Sequence, residues 1–290
     1  MIHSVLCTIR GGYSIVGNRP FENRRKACCL QSMKTKVEDT NVLSNHRFQQ
    51  ICFPAPLNTG RDILLEADPF SALLAREPCR GEIITITDSS GGEFRGRIDE
   101  LGDDRARCHI FEELQEPTEP PFDLVLFQAL PDKERMELII QKGTELGVKA
   151  IVPFKSARSV SLREREAVQP KAHRWQPTAL KAAKQCRRAI VPFVAPYCSF
   201  EQALEQARPM DIKIILVEKE EERLAPLIRS MPPPKSIALM VGPEGGWNAG
   251  EAEKARQEGF FSVGLGGRVL RTETAAIAAC AILQYEWGGL

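Results

Sequence analysis

Two glycine-rich stretches near the carboxyl end, Val241-Gly-Pro-Glu-Gly-Gly-Trp247 and Val263-Gly-Leu-Gly-Gly-Arg-Val-Leu-Arg-Thr-Glu-Thr-Ala275, constrain this chain more than any other feature. Each grows out of an apolar, strand-like run, residues 237–241 and 260–265. Two such loops in succession suit the carboxyl edge of a parallel sheet, where bare backbone can cradle one ligand. Neither is a common nucleotide fingerprint. The P-loop spacing is absent from the chain, and Gly-x-Gly-x-x-Gly occurs in neither loop.

Upstream, the pattern alternates strand and helix. Residues 124–129, 150–154 and 212–217 are strand candidates, and residues 133–146 set Met136, Ile139, Ile140 and Leu146 on one helical face before Gly147. That alternation predicts an α/β domain with a mainly parallel sheet. Residues 116–121, Glu-Pro-Thr-Glu-Pro-Pro, read as an extended linker, because proline removes donors and disfavours helix before it. Between residues 47 and 114 the runs 81–87 and 93–98 flank Asp88-Ser-Ser-Gly-Gly92, a hairpin signature that predicts a small β-barrel.

With 290 residues, 43% of them hydrophobic, the chain can bury a full core and supply about two domains. The net charge of +1 hides segregation: residues 155–188 hold ten Lys or Arg against Glu164 and Glu166, whereas residues 99–123 hold nine acids against Arg105 and Arg107. The basic segment fits a phosphate-contacting surface and equally a solvated helix face. Nine cysteines without a C-x-x-C or zinc spacing read as reduced thiols of a cytosolic protein, with no metal expected. No apolar run approaches the eighteen or so residues a bilayer requires, so no membrane role is expected. Residues 1–44 carry Arg24-Arg25-Lys26 but no apolar core of a signal peptide, and read as a poorly ordered extension, with Met33 as a candidate translation start.

Read in order with Lys142-Gly-Thr-Glu-Leu-Gly-Val148, Ala157-Arg-Ser-Val160 and Ala182-Ala-Lys-Gln-Cys-Arg187, the two loops resemble the 16S ribosomal RNA uridine N3-methyltransferase family, RsmE, of the SPOUT trefoil-knot superfamily. The resemblance covers residue 122 to the end closely and residues 45–114 loosely. It implies a PUA-like β-barrel for RNA over residues 45–117 and a SPOUT α/β methyltransferase domain with a deep trefoil knot over residues 118–290. It further implies S-adenosyl-L-methionine as cofactor, 16S rRNA in the 30S subunit as partner, a homodimer, and a cytoplasmic location.

The resemblance also distributes roles. Gly242, Pro243, Glu244, Gly245 and Gly246 match one cofactor segment, Leu265, Gly266, Leu270, Thr274 and Ala275 the second, and Leu216 and Val217 the third wall. Each leucine reads equally as core, and Thr272 or Thr274 as a helix cap. Arg271 and Arg47 could stabilise an anionic uracil oxygen, with Glu273 as base and Glu244 behind it; an Arg–Glu tie within the fold fits the same residues. Arg158, Gln185, Arg187 and Arg188 match RNA-binding motifs, and Trp247 with residues 275–283 could form a dimer interface. Departures from the family pattern, such as His46-Arg-Phe-Gln49 for its Arg-Arg-Phe-Phe start, fall mainly on the barrel. A SPOUT enzyme acting on another RNA such as tRNA, and a non-catalytic ribosome-assembly protein, are the alternatives; two ligand-shaped loops argue against the second.

Overall fold

The computed structural model describes residues 50–159, 161, 163, 174–218 and 220–290. The extension over residues 1–44, Met33 and Arg47 lie outside them.

The first half builds a four-stranded antiparallel sheet. Strands β1 (Arg61–Glu66), β2 (Ile83–Thr87), β3 (Glu93–Leu101) and β4 (Arg105–Glu113) pair in the order β1-β4-β3-β2. The hairpin β2–β3 closes with Thr87 opposite Glu93. Its turn is organised by one carboxylate: Asp88 Oδ1 accepts from the backbone N–H of Ser90 and Gly92 at 2.9 Å, and Oδ2 accepts from the Leu57 N–H at 3.0 Å. The Ser90 hydroxyl and these amides hold the Asp88 carboxyl below its ordinary pKa. Alternate residues of the strands, Ile84, Ile86, Phe94, Ile98, Cys108 and Ile110, point to one side and bury against helix α1 (Ala67–Leu74) through Phe70 and Leu73. The hairpin expected at 81–98 is present, and α1 forms beside it because its Phe70 and Leu73 complete that core.

The second half is a seven-stranded sheet in which every pair is parallel. Strands β5 (Asp123–Ala129), β6 (Ala150–Lys155), β7 (Phe193–Val194), β8 (Cys198–Ser199), β9 (Ile212–Leu216), β10 (Ser236–Val241) and β11 (Phe261–Val263) run in the order β11-β9-β10-β5-β6-β7, and β8 also pairs with β6. Because strand side chains alternate, Leu124 and Leu126 bury on one face and Val125 and Phe127 on the other. Helices α2 (Lys133–Glu145), α3 (Gln176–Cys186), α5 (Leu224–Arg229) and α7 (Thr272–Glu286) cover the first face; α4 (Phe200–Ala207) and α6 (Ala249–Gln257) cover the second.

Local chemistry sets the helix ends. The Asp132 carboxylate caps α2 by accepting from the Arg135 N–H at 2.9 Å, and Gly147 follows the helix with φ of 79°. Gly147 also permits a close approach, since a Cβ there would sit 2.5 Å from the Pro120 ring. Helix α6 opens with a reciprocal capping box between Asn248 and Glu251. Strand β11 is shorter than the apolar run 260–265 predicts, because the Gly264 N–H turns away to the Glu222 carbonyl at 2.8 Å.

The proline-rich stretch 116–121 has no regular structure but is pinned. Thr118 donates to the Glu93 carboxylate at 2.8 Å through its N–H, and Glu119 pairs with Arg188. The end of α3 joins the same junction: Arg76 donates to the Ala189 and Arg188 carbonyls at 2.8 Å, and Thr85 donates to the Arg187 carbonyl at 2.7 Å. Arg187 adopts a left-handed conformation, φ 58°, which ends the helix and presents that carbonyl.

Candidate active site

Loops leaving the carboxyl ends of β9, β10 and β11 enclose a cleft of about 710 Å³. Ligands of open α/β sheets bind at such strand ends. The β9 loop contributes Leu216, Val217 and Glu218; the β10 loop runs from Val241 to Trp247; the β11 loop runs from Leu265 into α7, which adds Thr272 and Ala275.

The β10 loop is shaped by what lies behind it. The Trp247 ring stacks on Phe154 at 6.1 Å with planes 9° apart, leans on Phe200, and donates its indole N–H to the Leu216 carbonyl at 2.7 Å. Gly242 faces that ring, and a Cβ there would stand 3.0 Å from it. A turn follows, in which the Gly246 N–H donates to the Pro243 carbonyl at 2.9 Å and Gly246 takes φ of 68°. Arg158 braces the outside: its Nη1 donates to the Gly245 carbonyl at 2.9 Å, and a Cβ on Gly245 would lie 3.0 Å from the Arg158 Cβ.

A buried tie joins the loops. Thr272 donates its hydroxyl to the Gly242 carbonyl at 2.6 Å and accepts from Gln128 Nε2 at 3.1 Å; Gln128 is fully buried on β5 beside Val241. Arg223 holds the third loop by donating to the Gly266 carbonyl at 2.7 Å. Gly266 itself has φ of 144°, and neither there nor at Gly267 would a Cβ meet any atom within 4 Å. The β11 loop therefore presents bare backbone to open space. Sequence reading missed Gln128, Arg223 and Arg135, because each matters through partners about 40 to more than 100 residues away.

Charge is concentrated at one wall. Arg135 donates Nη1 to Glu244 Oε1 at 2.9 Å, its Nε lies 3.0 Å from Asp132 Oδ2 and 3.7 Å from Glu273 Oε2. Arg268 and Arg271 are exposed on the β11 loop and line the cleft.

Of the residues expected at a cofactor, Leu216, Val217, Gly242, Pro243, Glu244, Gly245, Gly246, Leu265, Gly266, Leu270 and Ala275 line this one cleft, as do Arg271 and Arg158. Thr274 does not: it is exposed on the first turn of α7, and Thr272, two positions earlier and so on another side of the helix, lines the cleft instead. Neither threonine caps α7, whose cap is Arg271 without a side-chain bond. Glu273, expected as a base, is buried and does not line the cleft. Gln185 and Arg187 are exposed at the end of α3.

One expectation is corrected. Arg188 is only 4% exposed; its guanidinium pairs with Glu119 at 2.5 Å and donates to the Thr144 and Val148 carbonyls at 2.9 and 2.8 Å, so it is an interior tie and not an RNA contact. Trp247, expected at an interface between copies, packs one side against Phe154 and Phe200 and is half-buried at the cleft.

Comparison with known proteins then identifies the class. A family model described as an RNA methyltransferase domain matches residues 118–284, the span that contains the parallel sheet and the cleft. Ribosomal RNA small subunit methyltransferase E of Bacillus subtilis is 32% identical over 211 residues, 71% of this chain and 82% of that protein. The protein of the same name from Mycobacterium tuberculosis is 30% identical over 239 residues, 79% and 90% of the two chains. The solved ribosomal RNA small subunit methyltransferase E from Neisseria gonorrhoeae, bound to S-adenosyl methionine, superposes with a TM-score of 0.60 at 33% identity, covering 83% of this chain and 99% of that one. The chain is an RNA methyltransferase by fold and domain. It belongs to the ribosomal RNA small subunit methyltransferase E family. Among the described residues no helix is long and apolar enough to cross a membrane.

Proposed function

We propose that this protein methylates N3 of a uridine in 16S rRNA of the small ribosomal subunit, with S-adenosyl-L-methionine as methyl donor. The observation that carries the reading is the cleft in which three strand-end loops meet, in a chain of this family. The donor set fits the cofactor. An adenosyl group wants aliphatic walls for its ring and backbone amides and carbonyls for its polar edge; Leu216, Val217, Leu265, Leu270 and Ala275 supply the first, and the glycine-bearing loops supply the second. The bare backbone at Gly266 and Gly267 leaves room for close approach.

Bound there, the cofactor supplies an electrophilic methyl carbon on a sulfonium, whose C–S bond breaks as the bond to N3 forms while the N3 proton passes to a base. The chain's residues then have separable tasks. Glu273 is the proposed base, because its Oε2 accepts no hydrogen bond among the described residues. Arg271, exposed on the cleft, is proposed to stabilise the negative charge that deprotonation puts on a uracil oxygen, together with Arg47. The aliphatic walls exclude water, which strengthens both interactions. Arg158, Gln185 and Arg187 are proposed RNA contacts, an arginine fork suiting phosphate.

The same reading takes residues 45–117 as a PUA-like RNA-binding barrel, residues 118–290 as a knotted SPOUT domain, and the working form as a cytoplasmic homodimer. Support for the first is the antiparallel sheet over residues 61–113, and for the second the parallel sheet with its carboxyl-edge loops. Digestion of methylated RNA and chromatography of its nucleosides tests the target atom. The expected product is N3-methyluridine; a 2′-O-methyl or C5-methyl product would remove the proposed chemistry.

A further inference from the structure

One cation at the wall of the cleft is paired with three anions, of which Glu244 lines the cleft and Asp132 and Glu273 do not. Arg135, on the first turn of α2, lines the cleft and reaches Asp132, Glu244 and Glu273. These anions come from the start of α2, the β10 loop and the start of α7, so one guanidinium joins three segments of the chain.

The hydrogen bonds sort the two glutamates. Glu244 Oε1 accepts twice, from Arg135 Nη1 at 2.9 Å and from the Asp132 N–H at 3.1 Å. That oxygen is committed to the fold, and a committed acceptor is a poor proton acceptor for substrate. Glu273 differs. Its Oε2 lies 3.7 Å from Arg135 Nε, close enough for attraction and too far for a hydrogen bond, and the same Nε makes its nearer ion pair with Asp132 Oδ2 at 3.0 Å. The oxygen is buried and accepts no hydrogen bond among the described residues. It is drawn toward the cleft-lining guanidinium while its lone pairs stay open.

We infer that Arg135 is a positioning residue for methyl transfer: Asp132 and Glu244 hold its fork in place, and it in turn holds the Glu273 carboxylate, buried behind the cleft lining, with an oxygen that accepts no hydrogen bond among the described residues. The inference rests on the proposed reading of Glu273 as base, and it assigns Glu244 to anchoring. It asks for arginine specifically. A lysine ammonium carries the charge on one point and cannot bond one anion through one nitrogen while a second nitrogen sits between two others.

The test is a double-mutant cycle on the full-length protein, using Arg135→Gln, Glu273→Gln and the double variant. Single-turnover methyl transfer is read at saturating S-adenosylmethionine and 30S subunits, cofactor affinity by calorimetry, and folding by thermal unfolding. Loss of a base predicts a drop on the order of 100-fold for Glu273→Gln. A misplaced base predicts a drop of roughly 10- to 100-fold for Arg135→Gln, with cofactor affinity unchanged. If Arg135 acts through Glu273, the double variant is no slower than Glu273→Gln alone. Multiplying losses, or a loss confined to cofactor affinity, would overturn the inference and leave the base assignment standing. Full activity of Glu273→Gln would remove the base and the inference with it, and a wild-type product other than N3-methyluridine would instead overturn the chemistry beneath both. Should Arg135→Gln fail to fold, Arg135→Lys carries the same cycle, with a smaller rate loss expected and wild-type rate contradicting the need for a fork.

Discussion

At the scale of single residues, the glycines of the β10 loop have different reasons to be glycine. Gly242 leaves room for the Trp247 ring, Gly246 takes a positive φ, and Gly245 lies against Arg158. All three were visible in the sequence as a ligand-shaped run, since glycine announces its own backbone demands. Gly245→Val puts a branched side chain where even a Cβ stands 3.0 Å from Arg158. Cofactor affinity is expected to fall at least about tenfold, which is roughly 1.4 kcal/mol, while the thermal midpoint moves little. Calorimetry showing unchanged affinity would contradict the assignment of this loop to the cofactor. Arg188 shows the opposite case. Nothing near it in sequence distinguishes it from Arg187, yet one guanidinium is interior and the other exposed, because Glu119 and the carbonyls that claim Arg188 come from other segments. Removing one partner of such a buried pair strands the other charge. Arg188→Met is expected to cost about 3–5 kcal/mol of stability, measured by urea unfolding, and a loss below about 1 kcal/mol would mean the pair is dispensable.

At the scale of elements, most of the parallel-sheet half was legible. The run 124–129 became Asp123–Ala129 and the helix at 133–146 became Lys133–Glu145, because both carry the periodicity of what buries them. The two-residue strands Phe193–Val194 and Cys198–Ser199 were not legible, being too short to show any period. Helix α7 had a readable apolar face but an unreadable anchor. Its Thr272 hydroxyl ties Gly242 to Gln128, which is 144 residues from Thr272. Thr272→Val keeps the shape and removes both bonds, leaving the half-buried Gly242 carbonyl without this donor and the Gln128 amide with the Ala129 carbonyl alone. The expected cost is about 1–3 kcal/mol, together with weaker cofactor binding because the two loops are no longer locked to each other. Denaturant unfolding and calorimetry on the same preparation check both; loss of stability with full cofactor affinity would make the tie purely structural.

At the scale of the whole molecule, a net charge of +1 says little and its distribution says more. Five arginines line the cleft (135, 158, 223, 268 and 271), against Glu218 and Glu244. An anionic polymer would meet that rim favourably, and its binding is expected to weaken as salt rises. The order β11-β9-β10-β5-β6-β7 explains why the site assembles there: β9, β10 and β11 are neighbours in the sheet, so the loops that follow them meet. Strand order depends on pairing across the whole chain, so the sequence could show that the two glycine loops belong together and not which third loop would face them by physics alone. The central claim is that this cleft delivers a methyl group to small-subunit ribosomal RNA. The direct measurement is transfer of label from S-adenosylmethionine to assembled 30S subunits, naked 16S rRNA and tRNA in parallel. Label in 16S rRNA, strongest on assembled subunits, is the predicted result; label confined to tRNA, or none in any RNA while the cofactor binds measurably, would contradict it.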